Sequence, residues 1–207
     1  MFKIKSDKDI PGFIQDEQAE HIKLLANSLP LNAQVLEIGC AWGRSTWCWL
    51  DGLPNDASLT VVDPFLIGSG KGKKWHCEHQ KERWNHKTIN KIMKYWVAHG
   101  HESTWRVVID HHPRKHLVKE LIVDKSQNFA KNSNQKWNCV FVDGDHKYQE
   151  VKKDLELLEP NTDILCGDDY GPHEPDVVRA VDEMIQATGR TLWTCPYNSW
   201  FWIARKS

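Results

Sequence analysis

Four short apolar runs, each breaking off into acid or glycine, constrain this chain more than any other feature. They are residues 33–38 (AQVLEI) before Gly39, 58–62 (SLTVV) before Asp63, 139–142 (CVFV) before Asp143, and 162–166 (TDILC) before Gly167. Runs without polar alternation, bounded by turn residues, read as strands buried on both faces. Such strands need helices above and below them, which makes the chain an α/β protein with a mostly parallel, doubly wound sheet. In open sheets of this kind ligands sit outside the carboxyl ends of the strands. The acids closing these runs are therefore candidate site residues.

The intervening stretches supply the helices. Residues 16–29 carry Ile22, Leu25 and Leu29 on one face and stop at Pro30, and a short helix over 44–50 ends at Gly52. A third strand is predicted at 104–109 (TWRVVI), a helix at 116–124, and a polar loop at 125–136. A helix from Tyr148 through Val151, Leu155 and Leu158 stops at Pro160. Another spans 176–188, capped by Asp176 and ended by Gly189. Strands at 190–194 and 199–204 make a C-terminal antiparallel hairpin around residues 195–198. Residues 66–100 are too long for an ordinary connection and read as a helical insert or lid within one domain covering 1–207.

At 207 residues the chain can bury a sizeable core, and a formal net charge of -1 gives no electrostatic case for nucleic acid. No apolar run is long enough to cross a membrane, and the first residues lack a signal-peptide core. Six cysteines without a C-x-x-C pair point to reduced, mostly buried thiols in a cytoplasmic protein. Eleven tryptophans suit both core and a lined pocket.

Two constellations stand out. In the first, Glu37 ends a strand that turns through Gly39, Ala41 and Gly43, with Ser45 just inside the next helix. Small residues here admit close backbone approach, and a helix N-terminus follows. Asp63, closing the next strand, is placed to accept ribose hydroxyls. The dinucleotide fingerprint G-x-G-x-x-G is absent, which counts against a nicotinamide cofactor. In the second, Asp143 ends one strand and Asp168-Asp169 the next. If the strands are neighbours, the three carboxylates converge and repel unless a hard cation joins them, Mg²⁺ foremost. Asp145 or His146 could then take a proton as general base. His76, Cys77, Glu78 and His79, the histidines at 111, 112 and 116, and the lysines at 71, 73 and 74 read as solvated groups. Trp42, Trp47 and Trp49 read as core and pocket-rim packing.

The pattern E-x-G-x-A-x-G followed by an acid on the second strand resembles class I S-adenosylmethionine-dependent methyltransferases. FVDGDHKYQEVKKDLELL, ILCGDDYG and VVRAVDEM extend the resemblance to metal-dependent macrocin-type sugar O-methyltransferases. It implies a Rossmann-like, seven-stranded sheet of order 3-2-1-4-5-7-6. It implies that Glu37, Gly39 and Gly43 line the methionine and ribose side, that Asp63 holds the ribose, and that Asp143, Asp168 and Asp169 bind a divalent cation. Asp145 becomes the base and Asp110 a weak candidate for the adenine contact. The expected activity is methyl transfer from S-adenosylmethionine to a hydroxyl of a small molecule, with no nucleic acid or membrane partner and homo-oligomerisation left open. The rival readings are a non-catalytic cofactor-binding or accessory protein on the same scaffold, and a metal-dependent hydrolase or hydroxylase.

Overall fold

The computed structural model describes residues 2–66, 86–196 and 200–206. Its sheet has seven strands: β1 (Gln34–Ile38), β2 (Ser58–Val62), β3 (Val118–Ile122), β4 (Trp137–Val142), β5 (Thr162–Gly167), β6 (Thr191–Thr194) and β7 (Trp202–Arg205). The spatial order is β3-β2-β1-β4-β5-β7-β6. The first five pair in parallel, and β7 runs antiparallel to both β5 and β6. The sheet is therefore the Rossmann-like one expected, with its C-terminal hairpin, although the hairpin turn at 197–199 lies outside the described residues.

Seven α-helices accompany the strands in the described residues: α1 (Asp16–Asn27), α2 (Arg44–Gly52), α3 (Lys87–His99), α4 (His101–Asp110), α5 (Ser126–Lys131), α6 (Tyr148–Leu158) and α7 (Pro175–Thr188). Strand side chains alternate between the two layers as the pleat requires. Val35, Val61, Cys139 and Phe141 pack with α1, α2, α3 and α4, whereas Leu36, Ile38, Val62, Val140 and Val142 pack with α6 and α7. Trp42, Trp49 and Trp96 are fully buried in the first layer and Trp202 in the second. Each would cost about 3–5 kcal/mol to truncate to alanine. No helix among the described residues is long and apolar enough to cross a membrane.

One expected strand is a helix. Residues 104–109 lie inside α4, where Thr104, Trp105, Val108 and Ile109 are buried at helical spacing. Their β-branched content suggested a strand, but tertiary packing of one helical face overrides propensity. The third strand is β3, whose sequence VKELI looks helical. It forms an outer edge with Lys119 and Glu120 exposed, where charge guards an open strand. Residues 126–131, read as loop, form α5. Asp176 does not cap its own helix; Glu174 holds the cap position, and Asp176 accepts the Tyr148 amide at the start of α6 (3.2 Å). Within the expected insert, 67–85 lie outside the described residues, and with them Trp84, His76, Cys77, His79 and the lysines at 71, 73 and 74; the later part is α3.

Candidate functional site

The turn after β1 is tightly wound. Gly39, Ala41 and Gly43 have φ of 80°, 45° and 94°. A Cβ on Gly39 would stand 1.9 Å from the Asp143 carbonyl oxygen. Glycine is thus required there by the neighbouring strand end, not only by a ligand. Gly43 starts α2 and lies against Trp105 and Ile109.

Two acids stiffen this turn. Glu37 is wholly buried, with the Ser45 and Thr46 hydroxyls donating to its two carboxylate oxygens at 2.5 and 2.6 Å. Burial drives its pKa up to about 8; the two hydroxyls oppose the rise and the charge on Asp63 adds to it. Asp63 accepts the amides of Cys40 (2.8 Å) and Ala41 (3.1 Å) on one oxygen and that of Phe65 (2.6 Å) on the other. The second strand's acid therefore shapes the first strand's turn.

A cavity of about 540 Å³ opens beside this turn, within the range of small-molecule sites. Gly39, Ala41, Ser45 and Asp63 line it; Glu37, Gly43 and Asp110 do not. Glu37 lies beneath the turn. Asp110 is exposed at the end of α4, paired with Lys115, because the strand it was assumed to follow is a helix. Lys125, Ser126 and Gln127, which follow the true β3, line the cavity instead. Beside them lies Asp154 of α6, 3% exposed and accepting the Ser126 hydroxyl at 2.7 Å. Burial raises its pKa to about 6. Its signal in the sequence was an acid on the apolar stripe of Val151, Leu155 and Leu158. Pro11, Gly12 and Phe13 close one side of the cavity. That arm is pinned by buried Arg44, which donates to Ile14 O (2.6 Å) and Asp16 (2.6 Å) and pairs with Asp7 (3.4 Å).

The acids of the second constellation gather at the adjoining ends of β4 and β5. Asp143 lines the cavity and is half-buried. Burial pushes its pKa well above the usual carboxylate range, and the charges of Asp168, Asp169, Glu37 and Asp63 push it further. Burial also raises Asp169, partly offset by His146. Ligand atoms of Asp143, His146 and Asp169 lie within 4.8 Å of one another, and His146 Nε2 is 3.0 Å from Asp169 Oδ2. Oxygen and imidazole donors converging on a site where the carboxylates repel fit a divalent cation. Asp168 is held apart. Its Oδ1 accepts the Gln18 side-chain amide of α1 and the Asp169 amide (2.7 Å), and its carbonyl accepts Trp202 Nε1 (3.3 Å). Asp145 is exposed at the mouth, its carboxylate receiving the Lys147 amide at 2.9 Å.

Known proteins agree with this architecture. A family model described as a methyltransferase domain matches residues 36–166. None of the curated proteins matches the chain in sequence. Among solved structures, a structural-genomics target from Corynebacterium glutamicum superposes with a TM-score of 0.62 at 14% identity, covering 95% of this chain and 83% of that one. The O-methyltransferase TomG from Streptomyces achromogenes, solved with S-adenosylmethionine, gives 0.56 at 13% identity over 100% and 92% of the two chains. An O-methyltransferase from Bacillus cereus, solved with S-adenosylhomocysteine, gives 0.53 at 12% over 94% and 83%.

Proposed function

Because the chain belongs to the methyltransferase domain family, we propose that it moves a methyl group from S-adenosylmethionine to a hydroxyl oxygen of a small acceptor, with help from a divalent cation. One observation carries the reading: a single cavity joins the Gly39–Asp63 turn to Asp143 and Asp145. A turn suited to a nucleoside and the Asp143 edge of the carboxylate cluster therefore share one space, and Asp168 and Asp169 line a small pocket on the other side of Asp143. Solved relatives hold S-adenosylmethionine or its product on the same fold.

In this reading Asp63, already oriented by three backbone amides, accepts a ribose hydroxyl with its remaining lone pair on Oδ1. Ala41 and Ser45 flank the methionine side, and Lys125, Ser126 and Gln127 face the base. Asp143 and Asp169 hold the cation, Mg²⁺ foremost. When bound, it makes a coordinated hydroxyl more acidic and fixes its position. Asp145, exposed beside the cluster, takes the hydroxyl proton. Oxygen is the favoured acceptor because a neutral amine is already nucleophilic and gains little from such a site.

The resemblance of the Asp143–Asp145 and Asp168-Asp169 motifs to macrocin-type enzymes makes a sugar or glycoside with adjacent hydroxyls the first acceptor to try. Location in the cytoplasm fits the thiols. Cys139 and Cys166 lie 3.6 Å apart, buried and unbridged, as a reducing compartment would keep them. The test is transfer of labelled methyl from S-adenosylmethionine to a panel of vicinal-diol glycosides and catechols, with Mg²⁺ and with a chelator. Labelled ether that disappears with the chelator is expected. Saturable S-adenosylmethionine binding without transfer to any hydroxyl, or transfer indifferent to the chelator, contradicts the reading.

A further inference from the structure

We propose that the outer face of α3, together with the first residues of the N-terminal arm, docks an acidic α-helix of a partner protein. The face lies outside the cavity, and the inference stands whether or not the cavity serves methyl transfer.

One stripe of lysines builds the face. α3 buries Ile89, Ile92, Met93 and Trp96 and leaves Lys87, Lys91 and Lys94 exposed. At 3.6 residues per turn these three fall within a sector of about 60°, over a rise of about 10 Å. Lys3 and Lys5, also exposed, belong to the arm beside the first turn of α3. Thr88 Oγ1 donates to Lys3 O (3.4 Å), and Asp9 links the Lys5 amide (2.7 Å) to His86 Nε2 (3.4 Å). α3 itself contains no acid, and none of the five ammonium groups has an ion-pair partner among the described residues.

Nothing inside the chain accounts for the stripe. Lys87 stands in the first turn, where the helix dipole disfavours a cation. Lys87 and Lys91 at i,i+4, and Lys91 and Lys94 at i,i+3, are like-charge neighbours that weaken a helix. Other exposed helices do the opposite: Glu102–Arg106 on α4 (2.8 Å) and Arg179–Glu183 on α7 (3.2 Å) are opposite-charge pairs at i,i+4. A local rule broken without compensation inside the chain points to a partner outside it.

The chemistry selects that partner. Residues 1–10 and 86–99 hold lysine but no arginine. Arginine's planar fork suits phosphate, whereas lysine is a point charge, often set against glutamate between paired helices. The net charge of -1 also works against an extended polyanion, which would meet the surrounding acids, while a single helix meets only the patch. Carboxylates three and four residues apart on a helix repeat the spacing of Lys87, Lys91 and Lys94. Further along α3, Ala98 is exposed and Val97 is 49% exposed. They offer short-range apolar contact once charge has steered the approach. Docking here is one packing layer from the cavity: Trp96 on the buried face of α3 meets Trp42 edge to face at 5.3 Å, and Trp42 lines the cavity.

The probe is a fluorescein-labelled helical peptide of about 20 residues with glutamates at i, i+4 and i+7 along one face. An isomer of the same composition, its glutamates spread around the helix, is the comparison. Each is titrated into the full chain and read by anisotropy. The striped peptide should bind one to one, at least about tenfold more tightly than the isomer, and weaken as salt rises. Lys91→Glu should weaken it at least about fivefold. The melting temperature of that variant should hold or rise by about 1–3 °C, because like-charge pairs are relieved. Lys153→Glu, on α6 across the sheet, should bind as wild type does. No binding of the striped peptide, equal affinity for the two peptides, or equal loss in Lys91→Glu and Lys153→Glu reduces the face to solvated charge and overturns the proposal. So does tighter binding, lost in Lys91→Glu, of a single-stranded oligonucleotide, of a vesicle rich in phosphatidylserine, or of a second copy of the chain seen by sedimentation.

Discussion

The two acidic regions of the site differ in how their charges are satisfied. At the turn after β1, Glu37 receives two hydroxyls and Asp63 three backbone amides. Glu37 braces the turn from beneath, and Asp63 shapes it from the cavity wall. At the ends of β4 and β5, burial raises the pKa values of Asp143 and Asp169, and neighbouring carboxylates add to it, Asp168 and Asp169 at Asp143 and Glu174 at Asp169. A satisfied acid makes shape; an acid held against its own kind marks where a positive charge belongs.

The largest effect that would break this contrast comes from Asp143→Asn. Cation affinity should fall by at least about 100-fold, while S-adenosylhomocysteine affinity, read by calorimetry, stays within about threefold of wild type. The mirror experiment is Asp63→Ala. It removes the acceptor of three amides and of the ribose, so S-adenosylhomocysteine affinity should drop about 10- to 100-fold, the range of one or two charge-assisted hydrogen bonds. Mn²⁺ affinity should shift far less, because Asp63 acts on Asp143 only as the last of its neighbouring charges. If either variant disables both functions equally, the two halves are not separable.

A smaller effect sharpens the picture at Glu37. Its folded pKa, about 8, lies above the unfolded value near 4.5. The folded state thus binds the proton more tightly. This contribution to stability is fully present below about pH 4.5 and is lost as pH rises to about 8. Glu37→Gln mimics the protonated acid, so its melting temperature should exceed that of wild type by several degrees at pH 8.5, with a smaller gap at pH 5. A gap that does not widen with pH would mean that Glu37 is ionised in the fold. Smallest of all, Asp110→Asn should change S-adenosylhomocysteine affinity by less than about 0.5 kcal/mol, as an exposed group away from the cavity. A larger loss would return Asp110 to the cofactor site.

The parts of the fold readable from sequence were those where one signal dominated. The buried strands β1, β2, β4 and β5 announced themselves by continuous apolar runs closed by turn chemistry. The edge strand β3 did not, because half of its surface faces water and its Lys-Glu pair imitates a helix. The helical face of Trp105, Val108 and Ile109 imitated a strand for the opposite reason. That exchange moved the expected adenine contact to Asp110 and hid Lys125, Ser126 and Gln127. The positions of Asp63, Asp143 and Asp169 just beyond β2, β4 and β5 were legible because each follows a continuous apolar run. The tie between Gln18 and Asp168 was not, since it joins residues 150 positions apart. Its one trace was a polar side chain on the buried face shared with Ile22 and Leu25.

The most direct measurement is calorimetric titration of S-adenosylhomocysteine into the metal-free protein in chelator, repeated with saturating Mn²⁺. Saturable binding in chelator, retained with Mn²⁺, is expected, because the cofactor wall is complete without a cation. Binding that is absent in both conditions would contradict the assignment of the cavity, and binding that appears only with Mn²⁺ would contradict the division of labour between the two acidic regions.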